Sequence, residues 1–204
     1  MGFYEKNILP HCIEWLMSAE RFSILRKQSL EGVQGTVLEV GFGSGLNLPH
    51  YPPAVTHLYA LDPSLLGRRL AEDRIRAAPF PVEFAELEGV GIDLPNHSVD
   101  MAVSTWTLCT IPDVGSALRE MRRVLRPDGR FIFLEHGLSP EPSVARLQNF
   151  WNPMQKMIGG GCHVNRKIDQ VIRSAGWRIT EQDNFYMDPP KFLAYMFRGV
   201  AEPE

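Results

Sequence analysis

The tightest constraint on this chain is one segment, Gly35-Thr-Val-Leu-Glu-Val-Gly-Phe-Gly-Ser-Gly-Leu-Asn-Leu48. Thr36 to Val40 is a short β-branched and apolar run carrying one carboxylate, Glu39. Such a run suits a strand buried on both faces, as in a parallel sheet. It breaks into Gly41, Gly43 and Gly45, alternate glycines that let the backbone turn tightly and approach a ligand with no Cβ in the way. Backbone N–H groups at the start of the next helix would then face that ligand. The spacing is not the dinucleotide fingerprint G-x-G-x-x-G, because Leu46 stands where its last glycine would be. An acid two residues before the first glycine would repel a pyrophosphate and suits a ligand with a cationic end. The alternative is a glycine-rich turn that holds nothing.

His57-Leu-Tyr-Ala-Leu-Asp62 reads as the next strand, ending in an acid, with a helix starting at Pro63-Ser64. An acid at the end of the second strand, roughly 20 residues past the glycines, can accept both hydroxyls of a ribose. The pattern then repeats. A helix is predicted over 64–78, a strand over Val82–Ala85 leading to Glu86, and a turn-rich loop over Gly89–Ser98. A fourth strand, Asp100–Ser104, follows, then a helix from Pro112 or Asp113 to Leu125 with Asp113 as N-cap, and a fifth strand, Arg130–Glu135. Strands alternating with helices imply an α/β fold with a parallel sheet, whose ligands sit beyond the carboxyl ends of the strands. Glu39 and Gly41, Asp62, Glu86, Thr105 with Trp106, and Glu135 with His136 all fall at that edge.

Ahead of the first strand, an amphipathic helix is predicted over about Pro10–Gln28, either packed on the sheet or lying over the ligand as a lid. Phe3, Tyr4 and Trp15 would then shape the cavity. Late in the chain a helix over Ser143–Ile158 should be kinked or divided at Pro153. Gly159-Gly-Gly161 forms a joint, a helix covers Asn165–Ala175 and ends at Gly176, and strands cover Trp177–Phe185 and Phe192–Val200 around Asp188-Pro-Pro190.

Composition narrows the partners. With 204 residues the chain fits a single domain, and a net charge of −3 disfavours nucleic acid. Cys12, Cys109 and Cys162 are scattered and form no C-x-x-C pair, which argues against a zinc site or a disulfide framework and for a reducing, cytoplasmic setting. The longest apolar-rich segment, Ile8 to Leu25, is broken by Pro10, Glu14, Glu20 and Arg21, so no transmembrane segment is expected, while peripheral membrane contact stays open. Nothing in the sequence bears on oligomeric state.

Taken together, Val37-Leu-Glu-Val-Gly-Phe-Gly-Ser-Gly45, Leu61-Asp-Pro63, Ser98-Val-Asp-Met-Ala-Val103 and Val124-Leu-Arg-Pro-Asp-Gly-Arg130 resemble the class I S-adenosylmethionine-dependent methyltransferase motif series, in order. Thr107-Leu-Cys-Thr110, Leu134-Glu-His-Gly137 and the stretch from Trp151-Asn-Pro153 to Gly160-Gly-Cys162 and Arg166 further resemble the methyltransferase-like thiol methyltransferases. The resemblance implies a Rossmann-like, seven-stranded, mostly parallel sheet with helices on both faces and an N-terminal helical lid. It divides the chain into a lid helix (1–30), a cofactor-binding core (35–137) and a substrate-side part (138–204). Animal members of that family carry an apolar N-terminal anchor, and none is expected here.

The implied cofactor is S-adenosylmethionine. Gly41, Gly43 and Gly45 would pass its methionine and ribose parts, Glu39 would sit near its amino group, and Asp62 with Pro63 would hold the ribose. Glu86 would lie near the adenine amino group, with Leu87 on the adenine face and Thr105 at the strand edge. For Glu86 a plain exposed acid is the competing reading. The acceptor is a small molecule, first a thiol, with C- or N-methylation of a quinone precursor or lipid head group, or cofactor binding without catalysis, as alternatives. A thiol with a pKa of about 8.5 must lose its proton, and His136 is the first candidate base, His163 the second. Tyr4, Trp106 and Trp151 are candidate cavity walls. Cys109 and Cys162 read as buried small residues.

Overall fold

The computed structural model describes Tyr4 and residues 7–88, 91–187 and 190–204. Phe3, part of the loop expected over Gly89–Ser98, and part of the Asp188-Pro-Pro190 turn lie outside the described residues. In chain order the elements are helices α1 (Leu9–Met17) and α2 (Glu20–Leu30), strand β1 (Gly35–Val40), β2 (Val55–Leu61), α3 (Leu65–Ala77), β3 (Val82–Phe84) and the two-residue strands β4 (Leu87–Glu88) and β5 (Gly91–Ile92). Then come β6 (Val99–Thr105), α4 (Val114–Val124), β7 (Leu125–His136), α5 (Pro142–Ile158), α6 (Ile168–Ser174), β8 (Trp177–Tyr186) and β9 (Tyr195–Pro203).

Seven strands form one sheet in the order β3-β2-β1-β6-β7-β9-β8. All pairs from β3 to β7 are parallel, and β9 lies antiparallel between β7 and β8. This is the expected Rossmann-like, mostly parallel α/β sheet. Adjacent residues of β1 serve opposite faces: Leu38 belongs to a core with Leu118 and Met121 of α4 and Ile168 of α6, whereas Val37 belongs to one with Leu30 of α2 and Ala71 of α3. Helices therefore cover both faces. Trp177, fully buried, also satisfies its indole by donating to the Leu118 carbonyl at 3.1 Å.

The starts of two helices follow their local signals. Ser64 Oγ accepts from Gly67 N at 3.0 Å to cap α3, and Asp113 accepts from Ser116 N at 3.0 Å to cap α4. The chain order reverses beside β1, where β2 lies on one side and β6 on the other. A crevice opens there beyond the strand ends.

Four expectations need correction, and a fifth is narrowed. The predicted 10–28 helix is two helices: Ala19 is extended (φ −60°, ψ 145°), Ser18 turns its hydroxyl back on the Glu14 carbonyl, and Arg26 reaches across to the Met17 carbonyl at 2.8 Å. The helix over Pro142–Ile158 runs through Pro153 undivided, which narrows the expectation of a kink or a division to the first. The helix predicted over 165–175 begins only at Ile168, because Arg166 is used elsewhere: its carbonyl accepts from Leu138 N and its guanidinium from α6's approach donates to the carbonyls of Leu108 and Ile111. Strand β7 begins at Leu125, with residues 126–129 looped out opposite Asp100. The last strand begins at Tyr195 after a short 3-10 turn at Lys191–Leu193.

Candidate active site at the carboxyl edge of the sheet

The glycine loop leaves β1 with Gly41, Gly43 and Gly45 at φ of 78°, 55° and 75°. These left-handed values favour glycine. A Cβ at Gly41 would lie 1.9 Å from Thr107 Oγ1, so this glycine brings the loop against the turn after β6. A Cβ at Gly43 would meet nothing nearer than 4.0 Å, which leaves open space over the loop for a ligand.

Asp62, at the end of β2, holds that loop in place. Its carboxylate accepts from Gly43 N at 2.8 Å and Ser64 N at 2.7 Å. Burial pushes its pKa upward, and the two backbone N–H groups pull the other way. Glu39 is more deeply placed, only 2% exposed, and accepts from Asn47 Nδ2 at 2.9 Å and Tyr51 Oη at 2.7 Å. Burial raises its pKa to about 7 against those hydrogen bonds. Asn47 also donates to Thr105 Oγ1 at 3.1 Å, and its buried Oδ1 has no partner. Sequence reasoning missed Asn47 and Tyr51. A buried acid needs donors, and the amide of Asn47 and the phenol of Tyr51, close behind it in the chain, were the available signal.

The adenine-side residues stand apart. Glu86 is exposed, paired with Arg68 at 2.8 Å, which lowers its pKa. Leu87 is half-exposed and lines an apolar cleft of about 300 Å³ with Val40, Leu61, Ile111 and Pro112. A cleft of about 460 Å³ lined by Arg119, Arg122 and Arg123 lies at the opposite edge, away from the glycine loop. Pro63 follows Asp62 into the start of α3.

The N-terminal helix α1 also meets the loop. Ser44 Oγ donates to Glu14 of α1, and Glu14 pairs with Arg74 of α3 at 2.6 Å. Arg74 in turn donates to the Ser44 carbonyl at 3.0 Å. Otherwise α1 buries none of its residues, and Trp15 is 80% exposed. Tyr4 is half-exposed and donates to the Ile158 carbonyl at 3.0 Å.

Beyond β6 and β7 the chain brings together residues far apart in sequence. Glu135 is fully buried; its Oε1 accepts from Ser104 Oγ, Thr107 N and Leu108 N at 2.7–3.1 Å, which fixes the turn after β6. Burial raises its pKa. Within that turn Trp106 has φ 52° and is packed edge-on to Phe22, with Arg26 4.9 Å above its ring. Trp151 stacks on Phe192 at 6.0 Å. His136 Nε2 lies 3.0 Å from Cys162 Sγ, and Cys162 Sγ lies 3.7 Å from Cys109 Sγ. The three ligand atoms all fall within 4.8 Å of one another. The cysteines, scattered in sequence, are neighbours in space. Burial alone would lower the His136 pKa, but its bond to Cys162 and the nearby Glu135 carry it upward. Cys162 is pushed far up by Cys109 and by burial. Of the two imidazole nitrogens, Nε2 meets Cys162, while Nδ1 is buried without a hydrogen-bond partner. His163 donates its backbone N to the Cys109 carbonyl at 2.9 Å.

A seven-stranded sheet in this order, a glycine loop with positive φ at its crest and an acid at the end of the second strand define the class I methyltransferases. Residues 38–133 match the methyltransferase-domain family. The rat thiol S-methyltransferase TMT1B is 32% identical over 178 residues, spanning 84% of this chain and 70% of that protein. The human thiol S-methyltransferase TMT1B is 36% identical over 82% of this chain and 71% of its own length. Among solved structures, an S-adenosylmethionine-dependent methyltransferase from Thermotoga maritima superposes with a TM-score of 0.70 at 17% identity, over 98% of this chain and 97% of that one. This chain belongs to the family of the TMT1 thiol S-methyltransferases. It is an S-adenosylmethionine-dependent methyltransferase, and the open space above Gly43 with the unpartnered Asn47 Oδ1 fits that cofactor. No helix among the described residues is long and apolar enough to cross a membrane.

Proposed function

We propose that this enzyme methylates the sulfur of a small thiol. The observation that carries the reading is the contact between Gly41 and Thr107: it places the cofactor loop directly against the turn that bears Cys109, next to His136. The cofactor supplies an electrophilic methyl on a cationic sulfonium. The chain's part is to bind it, to place the acceptor in line with it and to exclude water, since joining a thiolate to a sulfonium neutralises charge and is faster in a dry site. We assign the cofactor to Gly41, Gly43, Gly45, Asp62 with Pro63, and the Leu87 cleft. Glu39 and Thr105 act from beneath, through Asn47. The exposed position of Glu86 supports at most an edge contact.

His136 serves the acceptor's sulfur. As a base it takes the thiol proton on Nε2, exchanging its bond to Cys162 for one to the acceptor. The unit of function is the whole chain, 1–204, with a cofactor core over 35–137 and acceptor contacts from 1–30 and 138–204. The three free cysteines support a reducing, cytoplasmic setting, and the net charge of −3 supports a small-molecule acceptor over nucleic acid. The exposed Trp15, Phe150 and Met157 support peripheral contact with a lipid surface.

The test is direct. Purified protein incubated with S-adenosylmethionine and small alkyl thiols is expected to yield methyl thioethers with equal amounts of S-adenosylhomocysteine. Turnover of a lipid amine or a quinone precursor with none of any thiol would overturn the assignment.

A further inference from the structure

We propose that Cys109, Cys162 and His136 bind one zinc ion and leave a fourth coordination position open to the acceptor sulfur. The zinc site stands on geometry alone; its open position rests on the thiol reading above. Zinc bonds of ~2.3 Å to sulfur and ~2.0 Å to nitrogen, set tetrahedrally, place two sulfurs ~3.8 Å apart and a sulfur and nitrogen ~3.5 Å apart. The two Sγ atoms stand at 3.7 Å, Cys162 Sγ to His136 Nε2 is 3.0 Å, and the three atoms lie within 4.8 Å of one another, so the ring must swing away from Cys162 and toward Cys109 by roughly an ångström to meet the tetrahedral spacing. The set of two sulfurs and an imidazole excludes magnesium and calcium, which take oxygen ligands, and three protein ligands with one open position is the pattern of catalytic zinc.

The frame is built before any ion arrives. Each ligand comes from a separate segment, and hydrogen bonds fix all three. Glu135 holds the turn that delivers Cys109. His163 N ties the Cys162 segment to the Cys109 carbonyl, and the register of β7 with β9 pairs His136 with Met196. The buried thiols make only long sulfur contacts apart from the one to His136: Cys109 donates to the Trp106 carbonyl at 3.6 Å and lies 3.5 Å from Thr110 Oγ1, weak compensation for the loss of water. Charge closes as well. Two thiolates and a neutral imidazole neutralise Zn²⁺, and an acceptor thiolate would add one negative charge. The Arg166 guanidinium, donating to the Leu108 and Ile111 carbonyls that flank Cys109, offsets it.

In this arrangement an acceptor thiol displaces water from the ion, forms a sulfur–zinc bond and releases its proton to solvent. Methylation leaves a neutral thioether, a weaker ligand, which vacates the position. Zinc stays divalent throughout. His136 is then a ligand, and the ion in place of the imidazole lowers the acceptor's pKa.

The full chain is purified under reducing conditions, stripped with a chelator and titrated with Co²⁺. One equivalent is expected to give thiolate-to-cobalt charge-transfer bands and the intense visible bands of a tetrahedral centre, both erased by Zn²⁺ and shifted by an added alkyl thiol. Cys162→Ser should lose the bands while still binding S-adenosylmethionine in calorimetry, which shows that it is folded. Absence of the bands in stripped wild-type protein that binds S-adenosylmethionine overturns the zinc site. If that same metal-free protein methylates alkyl thiols at full rate, the thiol reading stands without the metal. If cobalt binds but no thiol shifts its bands or is methylated, the open position is refuted.

Discussion

The glycine loop and the sulfur–imidazole cluster share one edge of the sheet and touch through Gly41 and Thr107, yet they are assembled by opposite means. Around the loop the partners lie close in the chain: Glu39 with Asn47 and Tyr51, Asp62 with Ser64 and Gly43. Around the cluster they are far apart, at 109, 136 and 162, with Glu135 and Arg166 arranging the backbone between them. Local construction makes the cofactor end rigid and readable. Long-range construction lets the acceptor end change with little effect on the loop. The helices α1 and α5, which flank the acceptor end, leave Trp15, Phe150 and Met157 in solvent, whereas the loop's own Phe42 and Leu48 are buried.

The strongest test of that division is the one residue that joins the two ends. Gly41→Ala sets a Cβ into Thr107 at a positive φ, and a loss of about 3 kcal/mol or more in stability is expected, with cofactor affinity and thiol turnover falling together. Thermal melts with calorimetry would show it, and loss of only one function would mean the ends are uncoupled. Glu39 comes next. Its pKa is about 7 in the fold against an ordinary 4.5, so the folded state holds more protons than the unfolded state between those values. Stability therefore declines as pH rises from about 4.5 to 7, by ~3 kcal/mol from this group alone. Glu39→Gln should remove that slope, read by urea unfolding at pH 5 and pH 8, and a slope that persists would assign it to another group.

Asp62→Ala tests the cofactor end alone. Affinity for S-adenosylmethionine should drop by about 1–3 kcal/mol through lost charged hydrogen bonds, with the cobalt spectrum of the cluster unchanged. Glu14→Ala releases the tie between α1 and the loop. The Arg74 pair is part-exposed, so the expected cost is below about 1 kcal/mol in cofactor affinity, seen by calorimetry and shrinking in salt. Smallest of all, Trp15→Ser combined with Phe150→Ser should move stability by under about 0.5 kcal/mol while abolishing sedimentation with anionic vesicles. A large loss of stability would mean that these side chains are packed.

What the sequence disclosed follows the same division. The glycine loop, the acid of β2 and the caps at Ser64 and Asp113 are governed by rules that act over a few residues, and each was found where local chemistry put it. The break at Ala19 was not legible, because an amphipathic period runs across it and the contact that decides it, Arg26 to the Met17 carbonyl, exists only once two helices pack. The late start of α6 has the same origin in Arg166. Cys109 and Cys162 were read as unrelated because sequence spacing identifies clusters only when the ligands share a turn. Here the turn after β6, the end of β7 and the segment after α5 carry one residue each, and they become neighbours only through the adjacency of β6 and β7 and the bond of His163 N to the Cys109 carbonyl.

Trp106 has a consequence for how the molecule folds. A bulky residue at φ 52° is strained by roughly 1–2 kcal/mol, and it is held there between Phe22 and Arg26, both from α2. The turn that delivers Cys109 thus cannot rest in its native shape until α2 has docked. Helix α2 therefore braces the turn that bears Cys109, and loosening α2 would be felt first at that turn.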